Sequence, residues 1–199
     1  MATLSQLQAA ASDVIEILKT VPHISSCRIA VICGLALWNS MPYGRGTKDI
    51  DFLITLDGAP RAVKDTLLRL HGASFVQRAD TFYYIVPNGP LMQVDICPGR
   101  MVPFIPASSM VISTIPIGVV PYLSATDLLA FKINSCGLRA DIQKRRLDAQ
   151  DAVALLAHVA QSGPLTWTPG QRLAIEKGLG DVVSNSVSNE TWWRGHLGI

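Results

Sequence analysis

The chain has little charge and few aromatic residues for its length. Only 16% of its 199 residues are charged, the formal net charge is +2, and aromatic residues make up 7%. A dedicated nucleic-acid-binding protein usually carries a strongly basic stripe, so this balance argues against that class, although a local basic patch is compatible with it. Hydrophobic residues make up 49% of the chain, which is enough for a large core and excludes a disordered protein.

Metal-binding cysteine motifs, a targeting signal and long apolar runs are also lacking. The four cysteines form no CxxC pair and the four histidines form no HxxxH pattern, so we expect neither a zinc site nor a disulfide scaffold. The longest nearly uncharged apolar run, 29–38, is too short to cross a bilayer. Residues 1–13 lack the basic flank and apolar stretch of a secretory signal. We therefore expect a cytoplasmic protein without membrane contact.

The order of sequence patterns predicts an α+β fold. Short apolar, β-branched runs alternate with helical patterns in the first two thirds of the chain, and they favour strands at 27–33, 49–56, 81–87 and 91–98. The sequence "NGP" predicts a hairpin between the last two. One more strand is expected around 111–117. These features predict a small mixed β-sheet flanked by helices.

The last third of the chain is helical in pattern. Ser124 stands three residues before Asp127 and marks a helix start, and a break is expected near Gly137. We expect a single domain that spans 1–199. Its core covers about 24–122, and its helical C-terminal part covers about 123–199.

Asp49 and Asp51, which are separated by a single residue, interrupt an apolar strand. Residues two apart face the same side of a strand, so these carboxylates lie together, about 6–7 Å apart along the backbone. Asp95 stands in the same kind of apolar setting, and the three converge if the two strands are neighbours. Oxygen ligands at this density suit Mg²⁺ or Mn²⁺, and two such ions suit phosphoryl chemistry. The alternative is the solvated face of an edge strand.

Gly34 follows a predicted strand and opens a predicted helix. Bare backbone N–H groups and the helix dipole at such a position can hold a phosphate. A glycine also allows a ligand to approach the main chain closely. A single glycine here is typical of a simple turn, but its place ahead of Asp-x-Asp indicates phosphate binding.

The stretch "CGLALWNSMPYGRGTKDIDF", 33–52, resembles the nucleotidyltransferase superfamily of DNA polymerase β-like fold. That family has Gly-Gly or Gly-Ser, a short helix, Asp-x-Asp and a later third Asp. The pattern is most similar to the abortive-infection nucleotidyltransferase toxins and their relatives, in which "GGxAL" precedes "R-x-S/T-x-D-I-D-F". The matching residues are Gly34, Ala36, Leu37, Arg45, Thr47, Asp49, Ile50, Asp51 and Phe52. Cys33 replaces the first glycine of the pair, which is a departure from the family pattern.

Later segments extend the resemblance to roughly 29–156. "TDLLAFK" and "RRLDAQD" are similar to a helical lysine motif and an acidic pair of those toxins. The resemblance places the lysine at Lys132 and the acidic pair at Asp148 and Asp151.

The resemblance implies transfer of a nucleoside monophosphate from an NTP to a hydroxyl-type acceptor, with pyrophosphate release. Catalysis and the binding of Mg²⁺ or Mn²⁺ would fall to Asp49, Asp51 and Asp95. Nucleotide binding would fall to Gly34, Thr47 and Lys132. Acceptor binding or support would fall to Arg45, Arg146, Asp148 and Asp151. RNA, a protein or a small molecule could serve as the acceptor.

Other interpretations of the same residues remain open. Cys33 is compatible with an inactive relative that only binds nucleotides, and the same carboxylates could serve another metal-dependent reaction. Lys132 could lie on a solvated helix face, and Asp148 and Asp151 could form surface salt bridges with the basic cluster 144–146. The Trp192–Trp193 pair could stack on a base, but such a pair more often packs the tail onto the core.

Overall fold

The computed structural model describes residues 2–199. The chain divides into two compact units, assigned as Met1–Leu123 and Ser124–Ile199. The first unit contains both strands and helices. Its helices are α1 (Leu4–Lys19), α2 (Pro22–Ser25), α3 (Cys33–Ser40) and α4 (Arg61–Leu70). Its strands are β1 (Arg28–Ile32), β2 (Asp49–Ile54), β3 (Phe75–Arg78), β4 (Thr81–Ile85), β5 (Leu91–Pro98) and β6 (Met110–Val111).

The six strands form one mixed sheet in the order β3-β4-β5-β2-β1-β6. Strands β2 and β5 are parallel, whereas the other neighbouring pairs are antiparallel. The hairpin expected between the "TFYYIVP" and "LMQVDICP" segments is confirmed, because β4 and β5 pair in an antiparallel register. The two strands that carry the predicted carboxylates are therefore central neighbours.

The two faces of the sheet differ in burial. Side chains along β5 alternate strictly between half-buried and buried, as expected for a strand with one face on the core. The buried face includes Ile50, Phe52 and Val94, which are at most 1% exposed. The carboxylates lie on the opposite, half-buried face.

Two local expectations differ from the structure. The strand expected around 111–117 is wrong, because β6 spans only two residues and is followed by a 3-10 helix, Ile112–Thr114. The segment is rich in β-branched residues, but it pairs with β1 only at Met110 and Val111. Strand β3 was not predicted, and two of its four residues are exposed.

The second unit contains four helices within the described residues. They are α5 (Ala125–Cys136), α6 (Ile142–Ala160), α7 (Pro169–Ser184) and α8 (Glu190–Leu197). The helix start at Ser124 is confirmed, because its Oγ accepts a hydrogen bond from the Asp127 N–H at 3.1 Å. Gly178 lies so close to α5 that a Cβ would overlap the Ile133 carbonyl. No helix within residues 2–199 is both long and apolar enough to cross a membrane.

Candidate functional site

The register of the two central strands gathers the three predicted carboxylates on one sheet face. Asp51 in β2 lies directly beside Asp95 in β5, and Asp49 is two residues before Asp51 on the same face. On the other side, Asp51 is paired with Ile32, the last residue of β1. The side chains of Asp49, Asp51 and Asp95 are half-buried. Three acidic groups thus stand next to the end of β1, where α3 begins.

Neutral side chains hold two of these carboxylates. The hydroxyl of Thr47 donates a hydrogen bond to Asp49 Oδ1, and the amide of Gln93 donates one to Asp95 Oδ2 at 2.8 Å. Sequence reasoning included Thr47 but missed Gln93. The available signal was its spacing, because a residue two positions before Asp95 faces the same side of the strand.

Gly34 lies in tight contact with the segment that leads into β2. A Cβ built on Gly34 would lie 2.6 Å from Thr47 Oγ1 and 2.8 Å from Thr47 Cβ. Any larger residue would therefore displace the side chain that donates to Asp49. Glycine at this position therefore lets the start of α3 pack directly against Thr47, whose hydroxyl holds Asp49.

Cys33, which replaces the first glycine of the family pattern, has a φ of 56°. This left-handed conformation suits glycine and costs other residues about 1–2 kcal/mol. Backbone strain of this kind is often found at functional sites. Cys33 directly follows β1 and opens α3, so this left-handed residue is the chain neighbour of Ile32, which pairs with Asp51.

Replacing Cys33 by Gly is expected to raise the free energy of unfolding by about 0.5–1 kcal/mol. Relief of the left-handed strain exceeds the additional entropy that glycine gains in the unfolded chain. Urea denaturation measures the difference. Cys27→Gly serves as the matched control, because Cys27 has no positive φ and should lose stability on the same substitution. If Cys33→Gly and Cys27→Gly lowered the stability equally, the backbone strain inferred at Cys33 would be refuted.

The carboxylates of the sheet face have donor chemistry that suits a divalent ion. Three carboxylates on one sheet face supply the oxygen ligands that Mg²⁺ and Mn²⁺ prefer. Within residues 2–199, no three His, Cys, Asp or Glu side chains are already gathered closely enough to hold a metal. The fit therefore rests on donor chemistry and strand register, and one ion could be held by all three carboxylates only after their side chains had moved closer together.

The residues predicted from the later motifs form a buried ionic cluster in the second unit. Lys132 Nζ lies 2.6 Å from Asp148 Oδ1 and 2.8 Å from Asp151 Oδ2, and these three side chains are 4–5% exposed. Arg139 Nε lies 2.8 Å from Asp148 Oδ2. Burial alone would raise the pKa of Asp148, but the adjacent Lys132 and Arg139 cations bring it below its usual value.

This cluster excludes two of the alternatives. Asp148 and Asp151 are not surface ion-pair residues, and Lys132 does not lie on a solvated helix face, because all three side chains are buried. The nucleotide-binding role of Lys132 and the acceptor roles of Asp148 and Asp151 stay predictions. The contacts themselves support a structural role, since the opposite charges are balanced inside the second unit.

The remaining candidates are two arginines and the tryptophan pair. Arg45 is half-buried in the loop before β2, and Arg146 is exposed on α6. Their acceptor roles stay predictions. Trp193 is fully buried and donates to Ser186 Oγ at 3.0 Å, which confirms core packing for this residue. Trp192 is half-buried and stacks on His196 with ring centroids 4.2 Å apart.

Similarity to known proteins is found at the level of the fold. No protein-family model and no curated protein sequence matches it. Among solved structures, it is similar to the crystal structure of an antigenic nucleotidyltransferase-like protein from Paracoccidioides brasiliensis, with a TM-score of 0.62 and 16% sequence identity. The similarity covers 98% of this chain and 93% of that chain. At this identity the likeness shows the fold, so the expected α+β fold is confirmed. The resemblance to the abortive-infection subgroup stays a prediction.

Proposed function

We propose that the protein is a metal-dependent nucleotidyltransferase that moves a nucleoside monophosphate from an NTP to a hydroxyl-type acceptor and releases pyrophosphate. The observation that carries this proposal is the pairing of Asp51 with Asp95 across β2 and β5, with Asp49 on the same face. Adjacent, half-buried carboxylates raise one another's pKa, and a divalent cation bound between them would favour their charged forms. The similar fold of a nucleotidyltransferase-like protein supports phosphoryl chemistry at this face.

Each residue of the sheet face has a role in this proposal. Asp49 and Asp51 would hold Mg²⁺ or Mn²⁺ with the triphosphate, and Asp95 would complete the site and accept the proton of the attacking hydroxyl. The bound ions would supply charge neutralisation at the phosphate that is transferred. The backbone N–H groups beginning at Gly34 would bind the β and γ phosphates. Thr47 would fix Asp49 through its hydroxyl.

Lys132 is not needed for phosphate binding in this proposal. Its side chain is 4% exposed, and its Nζ lies 2.6 Å from Asp148 Oδ1 and 2.8 Å from Asp151 Oδ2. Withdrawing it toward a triphosphate would leave buried carboxylates with less compensating charge, which is costly. We therefore assign Lys132 to the stability of the second unit.

The experiment that tests the proposal is a titration of ATP, GTP, CTP and UTP, each with Mg²⁺, followed by calorimetry. We expect one nucleotide to bind with a dissociation constant between about 1 μM and 1 mM, the usual range for enzyme substrates. Binding should disappear when EDTA removes the metal. A screen of RNA, protein and small-molecule hydroxyl acceptors with that nucleotide should then yield pyrophosphate.

Other products would point to the alternatives. Release of phosphate or of a nucleoside monophosphate to water would identify a hydrolase that uses the same carboxylates. Metal-dependent binding without turnover across the acceptor screen would favour an inactive relative. Absence of binding to all four nucleotides would overturn the proposal.

A further inference from the structure

Gln93 occupies a central place on the face that carries the carboxylates. Its Cα is directly opposite that of Asp49 in β2 and that of Tyr83 in β4. It precedes Asp95 by two residues, so both side chains project from the same face of β5. The Gln93 side chain is half-buried, and its Nε2 donates to Asp95 Oδ2 at 2.8 Å.

This hydrogen bond has a defined chemical effect on Asp95. A donor fixed on one carboxylate oxygen restricts rotation of the group and leaves the second oxygen able to bind an ion or accept a proton. An amide is neutral, so Gln93 orients Asp95 without reducing the negative charge that would attract a cation. A lysine or arginine in the same place would have competed with that cation.

Asp49, the carboxylate at the other end of the group Asp49, Asp51 and Asp95, is held in the same manner. Thr47 donates its hydroxyl to Asp49, so each outer carboxylate has one neutral donor from a residue two positions before it in the chain. Carboxylates that bind metals in proteins are commonly oriented by hydrogen bonds of this kind, and loss of such a partner costs about 10–100-fold in metal affinity or activity.

We propose that Gln93 is a positioning residue that orients Asp95 toward the bound metal and the attacking hydroxyl. This inference rests on the proposed nucleotidyl transfer at the same face. Gln93 does not contact the nucleotide in this scheme. It acts through Asp95, so its loss affects the transfer step and metal affinity more than NTP binding, which falls to Asp49 and the backbone at Gly34.

The test compares Gln93→Leu and Gln93→Glu with the wild-type protein. Leucine removes the donor at similar volume, and we expect kcat to fall about 10–100-fold while KM for the NTP stays within about twofold. Glutamate adds a like charge beside Asp95, so a larger fall in kcat is expected. Mn²⁺ titration followed by electron paramagnetic resonance, without nucleotide, should show weaker binding for Gln93→Leu than for wild type.

The matched control is Gln77→Leu on β3. Gln77 is exposed and its amide donates to the Ala79 carbonyl at 3.0 Å, so the same substitution there should change neither kcat nor Mn²⁺ affinity. Thermal unfolding of each variant shows whether the fold is retained. A purely structural role for Gln93 would lower the unfolding temperature without changing kcat or Mn²⁺ affinity in the folded protein.

The outcomes separate this inference from the proposed function. Wild-type transfer activity together with unchanged kcat and Mn²⁺ affinity in Gln93→Leu would overturn the positioning role alone. Absence of transfer in the wild type, together with Mn²⁺ binding that weakens in Gln93→Leu, would overturn the proposed reaction but support Gln93 as the residue that orients a metal-binding carboxylate. Absence of both transfer and Mn²⁺ binding in the wild type would overturn both.

Discussion

Asp51→Asn is expected to lower the rate of nucleotidyl transfer by about 1000-fold or more and to leave the fold intact. Asp51 stands beside Asp95 in the strand register and shares a face with Asp49, so it is the central member of the acidic set. The carboxamide keeps the shape of the side chain but removes the charge that would bind the metal. A loss of about 4 kcal/mol in transition-state stabilisation corresponds to this factor.

The measurement is pyrophosphate release under saturating Mg²⁺ and NTP, with Asp95→Asn as a second variant. Asp80→Asn is the matched control, because Asp80 is an exposed residue in the turn between β3 and β4 and should retain wild-type activity. Circular dichroism and urea denaturation establish that each variant is folded. A folded Asp51→Asn protein with wild-type turnover would exclude the carboxylate mechanism.

The candidate carboxylates could be picked out from the sequence because they lie within short motifs. Alternation along β2 indicates that Asp49 and Asp51 share a face, and the family pattern adds Asp95. The pairing that sets Asp51 beside Asp95 was not predictable from either strand, because the two strands are distant in sequence and their register depends on tertiary packing. The Gln93–Asp95 hydrogen bond was not predictable either. Spacing indicates that the two side chains share a face, but it does not show that they are oriented to form a hydrogen bond.

The strand wrongly expected around 111–117 and the unpredicted strand β3 show where local sequence patterns fail to predict secondary structure. The residues after Met110 have β-branched side chains, but strand propensity reflects packing against neighbours, and here the pairing with β1 ends after two residues. Strand β3 has only four residues and an exposed half, which weakens the alternation that identifies a strand. In both cases tertiary contacts decided the conformation.

The interpretation of Lys132 depended on residues that helical periodicity does not bring together. Its partners Asp148 and Asp151 lie on the next helix, α6. The sequence of α5 alone is compatible with a Lys132 side chain that faces solvent and with one that binds a ligand. Only the packing of α5 against α6 shows that its charge is balanced within the second unit.

Lys132→Met is therefore expected to lower the free energy of unfolding by about 3–5 kcal/mol. Removing one partner of a buried ion pair leaves charge uncompensated in a medium that solvates it poorly. Three of the four tryptophans, Trp167, Trp192 and Trp193, lie in the second unit, so intrinsic fluorescence during urea denaturation reports on the affected region. Lys177→Met on α7 is the matched control, because Lys177 is exposed and its loss should change stability by at most about 0.5 kcal/mol.

A double variant separates loss of charge balance from loss of packing. If uncompensated charge causes the destabilisation, Lys132→Met combined with Asp151→Asn should be more stable than the sum of the two single effects predicts, by about 1–3 kcal/mol. Strict additivity would instead attribute the loss to packing of the lysine stem. A Lys132→Met protein with wild-type stability and weakened NTP binding would contradict the structural role and would restore Lys132 to the nucleotide site.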